Sequence, residues 1–311
     1  MLCDHNVVII SNGGIRASIA PLSGANCISL RNEKYGAAIL REPENEKELD
    51  SSPLYGMPML FPQNRIPRGK FEFEGREYTF PINEKKTGSH IHGELYKMPF
   101  VPQHISKNKA SFIYRATEES PYLFFPHAFL VFTEYKIENG IFYHTVRIKN
   151  ESESNMPLFF GLHTTFNTLF TERSRVGDIR VYADIREEYE RDMENTLLPN
   201  GNKPPFDEIS LSLSEGRFDP SLKNISRHYR GGAKMCLTDV KRGLRAVYEN
   251  SESYKFCLVY GDARGGYISL EPLCCLAGCP SSPFSREESG FDFLRSGEER
   301  IYRSKIYIEE L

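Results

Sequence analysis

The sequence contains no tryptophan, has almost no net charge and has no long hydrophobic run. Its 39 lysines and arginines nearly balance 42 aspartates and glutamates, which gives a formal net charge of −3 at pH 7. Such a chain lacks the broad positive field that holds a protein on nucleic acid or on an anionic membrane. We therefore expect a small molecule as its partner, and neither nucleic acid nor a membrane.

Neither a membrane span nor a secretory signal is evident. The longest apolar and aromatic stretch, residues 122–132, is interrupted by Pro126 and His127, and it is shorter than the ~20 residues of a membrane-spanning helix. The N-terminal segment carries Asp4 and only a short apolar run, unlike a signal peptide. We expect a cytoplasmic protein.

Cysteines are few and unevenly placed. The seven cysteines are an odd number, with Cys3 and Cys27 far from a cluster at residues 274–279. This distribution favours reduced thiols over a disulfide framework. The cluster contains no Cys-X-X-Cys pair, so it does not predict a structural zinc site. We interpret its cysteines as packing or pocket-lining residues.

Hydrophobic residues alternate with a period of two along much of the chain, which is typical of β-strands. Residues 129–149 form two alternating arms joined by Asn139-Gly140, a strong hairpin signal. Residues 70–80 form a second pair of arms joined by Glu74-Gly75. Residues 301–308 predict a final strand.

Seven further runs of β-branched and aromatic residues are separated by turn residues, at 7–10, 27–30, 112–114, 179–182, 245–248, 256–260 and 267–270. This layout predicts an all-β fold with large antiparallel sheets and little helix, in a single domain spanning residues 1–311. Residues 185–195 are predicted to form one or two helical turns, followed by a loop at Pro199-Asn200-Gly201. Residues 200–232, rich in Gly and Pro, are predicted to be long surface loops.

Three segments place catalytic residue types beside Gly and Pro, where turns expose side chains. Arg65 follows an apolar run in GMPMLFPQNRIPRG. His90 and His92 lie two apart in SHIHG, so on a strand they would share one face. His163 lies in FGLHTTFN beside threonines that could fix an imidazole tautomer.

A candidate acid or base comes later, in YISLEPLCCLAGCPSSP. Glu271 precedes Pro272, so we expect the strand to end there with the carboxylate at its mouth. Such a carboxylate costs free energy unless it has a partner or a task. The ordinary alternative is a salt bridge to Arg264 or Arg295.

The other candidates also have ordinary structural alternatives. Arg65 could form a surface salt bridge, and the paired histidines of SHIHG could be buried residues with hydrogen bonds. His163, flanked by apolar residues, could be a core histidine with satisfied nitrogens. Local spacing alone does not decide between these interpretations.

Taken in order, several segments resemble the aldose 1-epimerase (galactose mutarotase-like) family. They are GMPMLFPQNRIPRGKFEFEGREY, SHIHG, the Asn139-Gly140 hairpin, FGLHTTFN, ISLEP and LRSGEERIYRSKIYI, and they extend over most of the chain. The resemblance implies a β-supersandwich with its site in an open cleft across one sheet. It also implies an enzyme, a monomer or homodimer, that interconverts the α and β anomers of a sugar without a metal or organic cofactor.

The resemblance also assigns catalytic roles. His163 is similar to the family's general acid and Glu271 to its general base. His92, the second histidine of HIHG, matches the histidine that assists at the ring oxygen.

Substrate-binding roles follow in the same way. Arg65 matches the arginine that binds sugar hydroxyls, and Asn64 and His90 are expected to contribute to the same binding site. The family holds the sugar with a further aspartate, for which Asp219 is the nearest match and Asp207 a rival.

Two positions depart from the family pattern. Thr164-Thr165 stand where the family usually has Pro-Tyr, and Cys274 stands where it usually has Thr. These positions line or support the pocket, so the resemblance indicates the reaction better than it indicates the sugar. Without tryptophan, stacking on the sugar falls to Phe or Tyr.

Anomer exchange needs an acid and a base at opposite ends of one O–C–O unit, because the C1 hydroxyl loses a proton while the ring oxygen gains one. Since a neighbouring charge of opposite sign favours ionisation, we expect a charged His163 beside a carboxylate and an ionised Glu271 near Arg65.

Three other functions compete with this one. A sugar-binding protein on the same scaffold needs no acid and base. A hexose-phosphate epimerase would need a basic cluster, for which Arg65, Arg68 and Lys70 are candidates. A cupin-type metal enzyme would use a set of histidines and a carboxylate: His90, His92, Glu94 and His163.

Overall fold

The computed structural model describes residues 7–205, 210–212, 225–262 and 266–311. Antiparallel strands joined by turns make up most of this part of the chain. They are β1 (Val8–Asn12), β2 (Ile15–Ala20), β3 (Asn26–Asn32), β4 (Ala37–Ala38), β5 (Met59–Leu60), β6 (Arg65–Pro67), β7 (Lys70–Phe73), β8 (Arg76–Thr79), β9 (Ser89–Ile91), β10 (Val101–Ile105), β11 (Lys109–Ala116), β12 (Phe129–Glu138), β13 (Ile141–Asn150), β14 (Met156–Leu158), β15 (Gly161–Leu162), β16 (Thr165–Asn167), β17 (Ile179–Tyr189), β18 (Ser210–Ser212), β19 (Ile225–Asp239), β20 (Leu244–Asn250), β21 (Phe256–Asp262), β22 (Tyr267–Leu273), β23 (Asp292–Leu294) and β24 (Glu299–Glu310).

Helical segments are short and lie between strands. They are α1 (Glu46–Ser51), α2 (Arg286–Ser289) and the 3₁₀ turns η1 (Glu33–Tyr35), η2 (Leu95–Lys97), η3 (Val176–Asp178) and η4 (Cys279–Ser281). Among the described residues, none of these helices has the length and apolar content that a bilayer crossing requires. The prediction of an all-β fold with little helix is confirmed.

One sheet of fourteen strands dominates the structure, and its main path runs β10-β11-β12-β13-β24-β20-β19-β21-β22-β15-β5. Strands β12 and β13 alternate buried and partly exposed residues, as expected for a sheet with one face on the core. In contrast, all seven residues of β22 are buried. The part of the chain that the structure describes also contains a sheet of four strands, β1-β2-β3-β4, and three two-stranded ribbons.

Both predicted hairpins are confirmed. β12 pairs with β13 from Phe129↔Asn150 to Glu138↔Ile141, and the turn residues Asn139 and Gly140 have φ of 52° and 76°. These positive values are what a two-residue turn matching the twist of its strands requires, and Asn-Gly tolerates them best. The Glu74-Gly75 turn between β7 and β8 repeats this geometry.

Three predictions about boundaries are wrong. Residues 185–189 are the end of β17, not a helix, because their pairing to β19 outweighs the local helix propensity of the charged run. Residues 200–232 are not all loop, since β18 and the start of β19 lie within them. The strand that holds Glu271 does not end before Pro272 but continues to Leu273.

The ladder explains why proline is tolerated inside β22. On the side facing β15 and β16, Leu270 donates to the Thr164 carbonyl and Cys274 donates to the Phe160 carbonyl. Every second residue of a strand directs its N–H to the same side, so Pro272, which has no N–H, leaves a gap between these two hydrogen bonds. The gap lies where His163 separates β15 from β16. Proline inside a sheet occurs at such irregularities. The interruption lets the His163 segment leave the ladder beside Glu271.

Candidate active site

A cavity of about 340 Å³ lies over the β21–β22 part of the large sheet. Its lining includes Leu258 and Tyr260 from β21, Glu271 from β22 and His163 from the β15–β16 junction. Leu258 and Glu271 are direct partners in the ladder, so their side chains share the face that borders the cavity. The cleft across one sheet is therefore present, with several of the expected residues around it.

His163 and Glu271 meet in this cavity although 108 positions separate them in the chain. The Nε2 atom of His163 lies 3.3 Å from Oε1 of Glu271, and both side chains are almost fully buried, at 5% and 2% exposure. Neither is sealed away, because both line the cavity. Glu271 is thus bound to a histidine and not to Arg295, and Arg264 lies outside the described residues.

The backbone and Thr165 fix the orientation of His163. Its main-chain N–H donates to the Pro58 carbonyl at 3.0 Å, and its Nδ1 lies 3.4 Å from Oγ1 of Thr165. Thr165 in turn lies 2.9 Å from Oγ of Ser269. This contact leaves Nε2 directed at Glu271, and it fits an imidazole with its hydrogen on Nδ1.

The charge states expected for the pair are wrong, because burial outweighs the nearby charges. Burial lowers the pKa of His163 to about 4 and raises the pKa of Glu271 to about 8. The charges of Arg191 and Arg65 act against burial on Glu271 but do not overcome it. Near neutral pH the contact is therefore one between a carboxylic acid and a neutral imidazole. The pair holds one proton that both groups can carry.

His92 lies at the same cavity, close to His163. The two imidazoles meet edge to face, with ring centroids 5.3 Å apart, and Nδ1 of His92 is buried without a hydrogen-bond partner. Burial, then the charges of His163 and Arg65, lower the pKa of His92 well below its usual range. A neutral imidazole with a free nitrogen can hydrogen-bond a sugar oxygen.

Asn64 and Arg65 line the cavity from the start of β6. The Asn64 carbonyl accepts from the His92 N–H at 2.9 Å, which ties the NRI motif to the second histidine of HIHG. Arg65 makes a two-point ion pair with Glu84, with Nε–Oε2 at 2.6 Å and Nη2–Oε1 at 2.7 Å. Its side chain is only 10% exposed, so Arg65 belongs to the cavity wall and not to the surface.

An aromatic cluster holds this wall from behind. The ring of Phe61 packs edge to face on Phe125 at 5.2 Å and lies 5.3 Å from Phe129. The Tyr122 hydroxyl donates to the Phe61 carbonyl. A buried Phe side chain contributes about 1.5–3 kcal/mol of transfer free energy, so this cluster anchors the residues that lead to Asn64.

The prediction that His90 and His92 share a face is wrong. β9 ends at Ile91, and His92 has a φ of 66°, so the chain turns between the two histidines. Nδ1 of His90 lies 2.8 Å from the Pro81 carbonyl, and its ring packs on Phe80. His90 lines a separate cavity of about 190 Å³, which also includes Glu94. His90 is thus not placed to bind the same ligand as His92.

The structure also separates the residues that a cupin-type metal site and a phosphate-binding basic cluster would each require. The four residues of the cupin-type set divide between two cavities, and no group of three metal-binding side chains occurs within the described ranges. Of the basic cluster at Arg65, Arg68 and Lys70, only Arg65 lines the active-site cavity. Lys70 instead pairs with Glu77.

Sequence reasoning missed Glu84 and Arg191. Glu84 lines the cavity as the partner of Arg65, and Arg191, at 6% exposure, acts electrostatically on Glu271 and Arg65. Both lie in charged runs typical of a protein surface, INEKK and YERDMEN. The spacing of residues in these runs does not indicate which charged side chain is buried. Only tertiary contacts identify them. Asp219 and Asp207, the candidates for the sugar-holding aspartate, lie outside the described residues.

The cysteines pack behind the site. Cys274, Cys275 and Cys279 are buried and are not among the residues lining the cavity. The Sγ atoms of Cys274 and Cys275 lie 3.8 Å apart, too far for a disulfide. Burial raises the pKa of all three thiols, which makes them weak nucleophiles.

Comparison with known proteins agrees with this description. Residues 6–307 match the family model described as aldose 1-epimerase. A galactose mutarotase-like protein from Clostridium acetobutylicum superposes with a TM-score of 0.86 at 28% identity, covering 97% of this chain and 95% of that one. An aldose epimerase homologue from C. elegans superposes at 0.79 with 16% identity, covering 98% and 99%. A galactose 1-epimerase from Lactobacillus acidophilus does so at 0.72 with 13% identity, covering 97% and 93%. The last two similarities concern the fold, which is the galactose mutarotase-like β-supersandwich.

Proposed function

Because the chain belongs to the aldose 1-epimerase family, we propose that it interconverts the α and β anomers of a free aldose. The observation that supports this most directly is the contact of 3.3 Å between His163 Nε2 and Glu271 Oε1 at the cavity floor. An acid and a base at this separation can reach two oxygens bonded to one carbon. Pure sugar binding does not require that pair.

The reaction begins when the single proton of the pair moves from the Glu271 carboxyl to the His163 imidazole. The Glu271 carboxylate then takes the proton of the C1 hydroxyl, and His163 gives its proton to the ring oxygen. The C1–O5 bond breaks and a C1 carbonyl forms. After rotation about C1–C2, Glu271 gives its proton to the carbonyl oxygen and His163 takes the proton of the C5 hydroxyl as the ring closes on the other face. That proton then returns from His163 to Glu271.

The other residues of the cavity bind and orient the sugar. His92, which lines the cavity, assists at the ring oxygen, and Arg65, held by Glu84, offers its remaining donors to hydroxyls. With no tryptophan in the chain, Tyr260, which also lines the cavity, supplies aromatic contact. Two positioned proton transfers, each worth ~10²–10⁴-fold, suffice for a reaction that already proceeds in water.

The test is polarimetry on freshly dissolved α-D-glucose and α-D-galactose, with further anomerically pure sugars and a sugar phosphate in the panel. Wild-type protein should accelerate the approach to rotational equilibrium. His163→Asn and Glu271→Gln should each abolish the acceleration. Glu249→Gln is the matched control, because Glu249 pairs with Lys305 on β24 and is not among the residues lining the cavity.

Folded His163→Asn or Glu271→Gln protein that retains full activity would refute the assigned roles. Wild-type protein that binds a sugar without accelerating its mutarotation would favour a binding protein. Acceleration restricted to the sugar phosphate would place the substrate in the phosphorylated class.

A further inference from the structure

Arg191 anchors one wall of the cavity and interacts electrostatically with the Glu271 carboxyl group. We propose that Arg191 is a positioning residue that fixes the loop carrying Met193 and Leu197 and keeps a positive charge within electrostatic range of Glu271. The proposal deepens the proposed mutarotase function and rests on it. Nothing in the local sequence distinguishes this arginine from its charged neighbours, since its role arises from tertiary contacts.

The anchoring role follows from hydrogen bonds at the base of the loop. Arg191 Nε donates to the Leu197 carbonyl at 2.8 Å, and Nη2 donates to the same oxygen. The backbones of Arg191 and Pro199 form an isolated antiparallel bridge. The loop from residue 192 to residue 198 is therefore closed at its base by both main chain and guanidinium.

The loop is also ordered from within. The Asp192 carboxylate accepts from the Asn195 N–H at 3.2 Å and from the Thr196 N–H and hydroxyl at 3.1 and 3.0 Å. Leu197 has a φ of 57°, a conformation that costs a residue with a Cβ about 1 kcal/mol or more. The double hydrogen bond from Arg191 to the Leu197 carbonyl helps to hold this residue in that conformation.

The wall formed in this way faces the cavity. Met193 and Leu197 both line the cavity that contains His163 and Glu271. Their apolar side chains can cover the C–H face of a sugar ring. Fixing Leu197 therefore fixes the distance between this wall and the reacting pair.

The electrostatic role follows from the charges around Glu271. Arg191 acts more strongly than Arg65 in opposing the effect of burial on the Glu271 pKa. Both cations favour the carboxylate form that the proposed ring opening requires. The described charged and titratable groups that contact Glu271 or interact with it electrostatically are His163, Arg65, Arg191 and Cys257.

The test compares three variants of the full-length protein. Arg191→Met removes the charge and the forked donors, and Arg191→Lys retains the charge but loses the fork. Arg180→Met is the matched control, because Arg180 also donates to backbone carbonyls, those of Gly177 and Ile179, but lines a different cavity. Each is measured by the pH profile of mutarotation, by NMR titration of the Glu271 carboxyl and by amide exchange of Thr196 and Leu197.

Arg191→Met should move the Glu271 titration, and the alkaline limb of the activity profile, upward by about one pH unit. It should also speed exchange of the loop amides roughly tenfold, as expected for loss of a charge-assisted hydrogen bond. Arg191→Lys should leave the titration near its wild-type position while exchange increases. Arg180→Met should change neither.

A Glu271 titration that is unchanged in folded Arg191→Met would overturn the proposal, even with faster loop exchange, because anchoring alone is a structural role. The titration and the exchange do not depend on turnover. If they change as expected while wild-type protein mutarotates no sugar, the proposed function fails and the role of Arg191 in the loop and in the electrostatics of Glu271 stands.

Discussion

Thr165 and His163 form the link between the active-site pair and the strand beneath it. Oγ1 of Thr165 lies 3.4 Å from Nδ1 of His163 and 2.9 Å from Oγ of Ser269. Ser269 and Glu271 lie two apart on β22 and therefore share one face. Strand β22 thus contacts the His163 imidazole in two ways. Ser269 acts through Thr165 on Nδ1, and Glu271 contacts Nε2 directly.

Thr165→Val should lower the rate of mutarotation without unfolding the protein. The variant keeps the shape of the side chain but removes the hydroxyl that orients the imidazole, so we expect a loss of up to about tenfold in kcat with little change in KM. Thr133→Val is the control, because Thr133 makes an equivalent contact of 2.9 Å with buried His144 away from the cavity. Equal kcat values for both variants would contradict an orienting role for Thr165.

The pH profile of kcat/KM should be bell-shaped, because only the singly protonated pair contains both an acid and a base. Burial lowers the pKa of His163 to about 4 and raises the pKa of Glu271 to about 8. Below the first value both groups are protonated and no base remains, and above the second no acid remains. Since the groups are coupled, the two apparent pKa values belong to the pair. A rate that keeps rising above pH 9 would contradict this assignment.

A feature of the fold or site could be predicted from the sequence where it depends on residues close together in the chain, and could not where it depends on distant ones. The Asn139-Gly140 hairpin is local, and its turn chemistry predicted it fully. The likeness of HIHG and LEP to family motifs predicted His92 and Glu271 at one cleft, which the structure shows. The charge states of the pair were not predictable, because they depend on burial by distant segments. Neither was Arg191, whose environment is set by residues such as Arg65 from a distant strand.

The protein should lose stability as the pH falls from about 6.5 to about 4. Burial lowers the pKa of His127 and His163 to about 4 and of His144 and His228 to about 3, from a usual value of 6.5. Between these values the unfolded chain binds protons that the folded chain does not, so acid favours unfolding. Each such histidine contributes about 1.4 kcal/mol per pH unit.

Urea unfolding at pH 7, 6, 5 and 4 measures this effect. His144→Gln should reduce the dependence of unfolding free energy on pH over that range, although the variant has a lower stability at pH 7. A midpoint that is constant from pH 7 to pH 4 would show that these histidines are protonated in the folded protein.

Glu271→Gln should abolish activity and yet stabilise the protein at alkaline pH. Burial raises the pKa of Glu271 from 4.5 to about 8, so the folded protein holds a proton that the unfolded chain releases. Stability contributed by this group is therefore fully present below pH 4.5 and is lost as the pH rises towards 8. Glutamine does not titrate, so the stability difference between variant and wild type should increase from pH 5 to pH 8. A constant difference, measured by urea unfolding, would show that the carboxyl has an ordinary pKa.

Glu84→Gln should weaken sugar binding more than it slows the chemical step. Glu84 holds Arg65 by two parallel hydrogen bonds of 2.6 and 2.7 Å, a geometry that a neutral amide cannot reproduce because one of its two positions is a donor. With the guanidinium no longer fixed, ordering it around the sugar costs free energy on binding, and we expect KM to rise about tenfold while kcat changes less.

Glu77→Gln is the control, because Glu77 pairs with Lys70 at 3.1 Å on the exposed β7–β8 ribbon. Initial rates over a range of sugar concentrations separate the two constants. An unchanged KM in Glu84→Gln would mean that Arg65 needs no preorganisation, whereas a fall confined to kcat would place Arg65 at the reacting atoms.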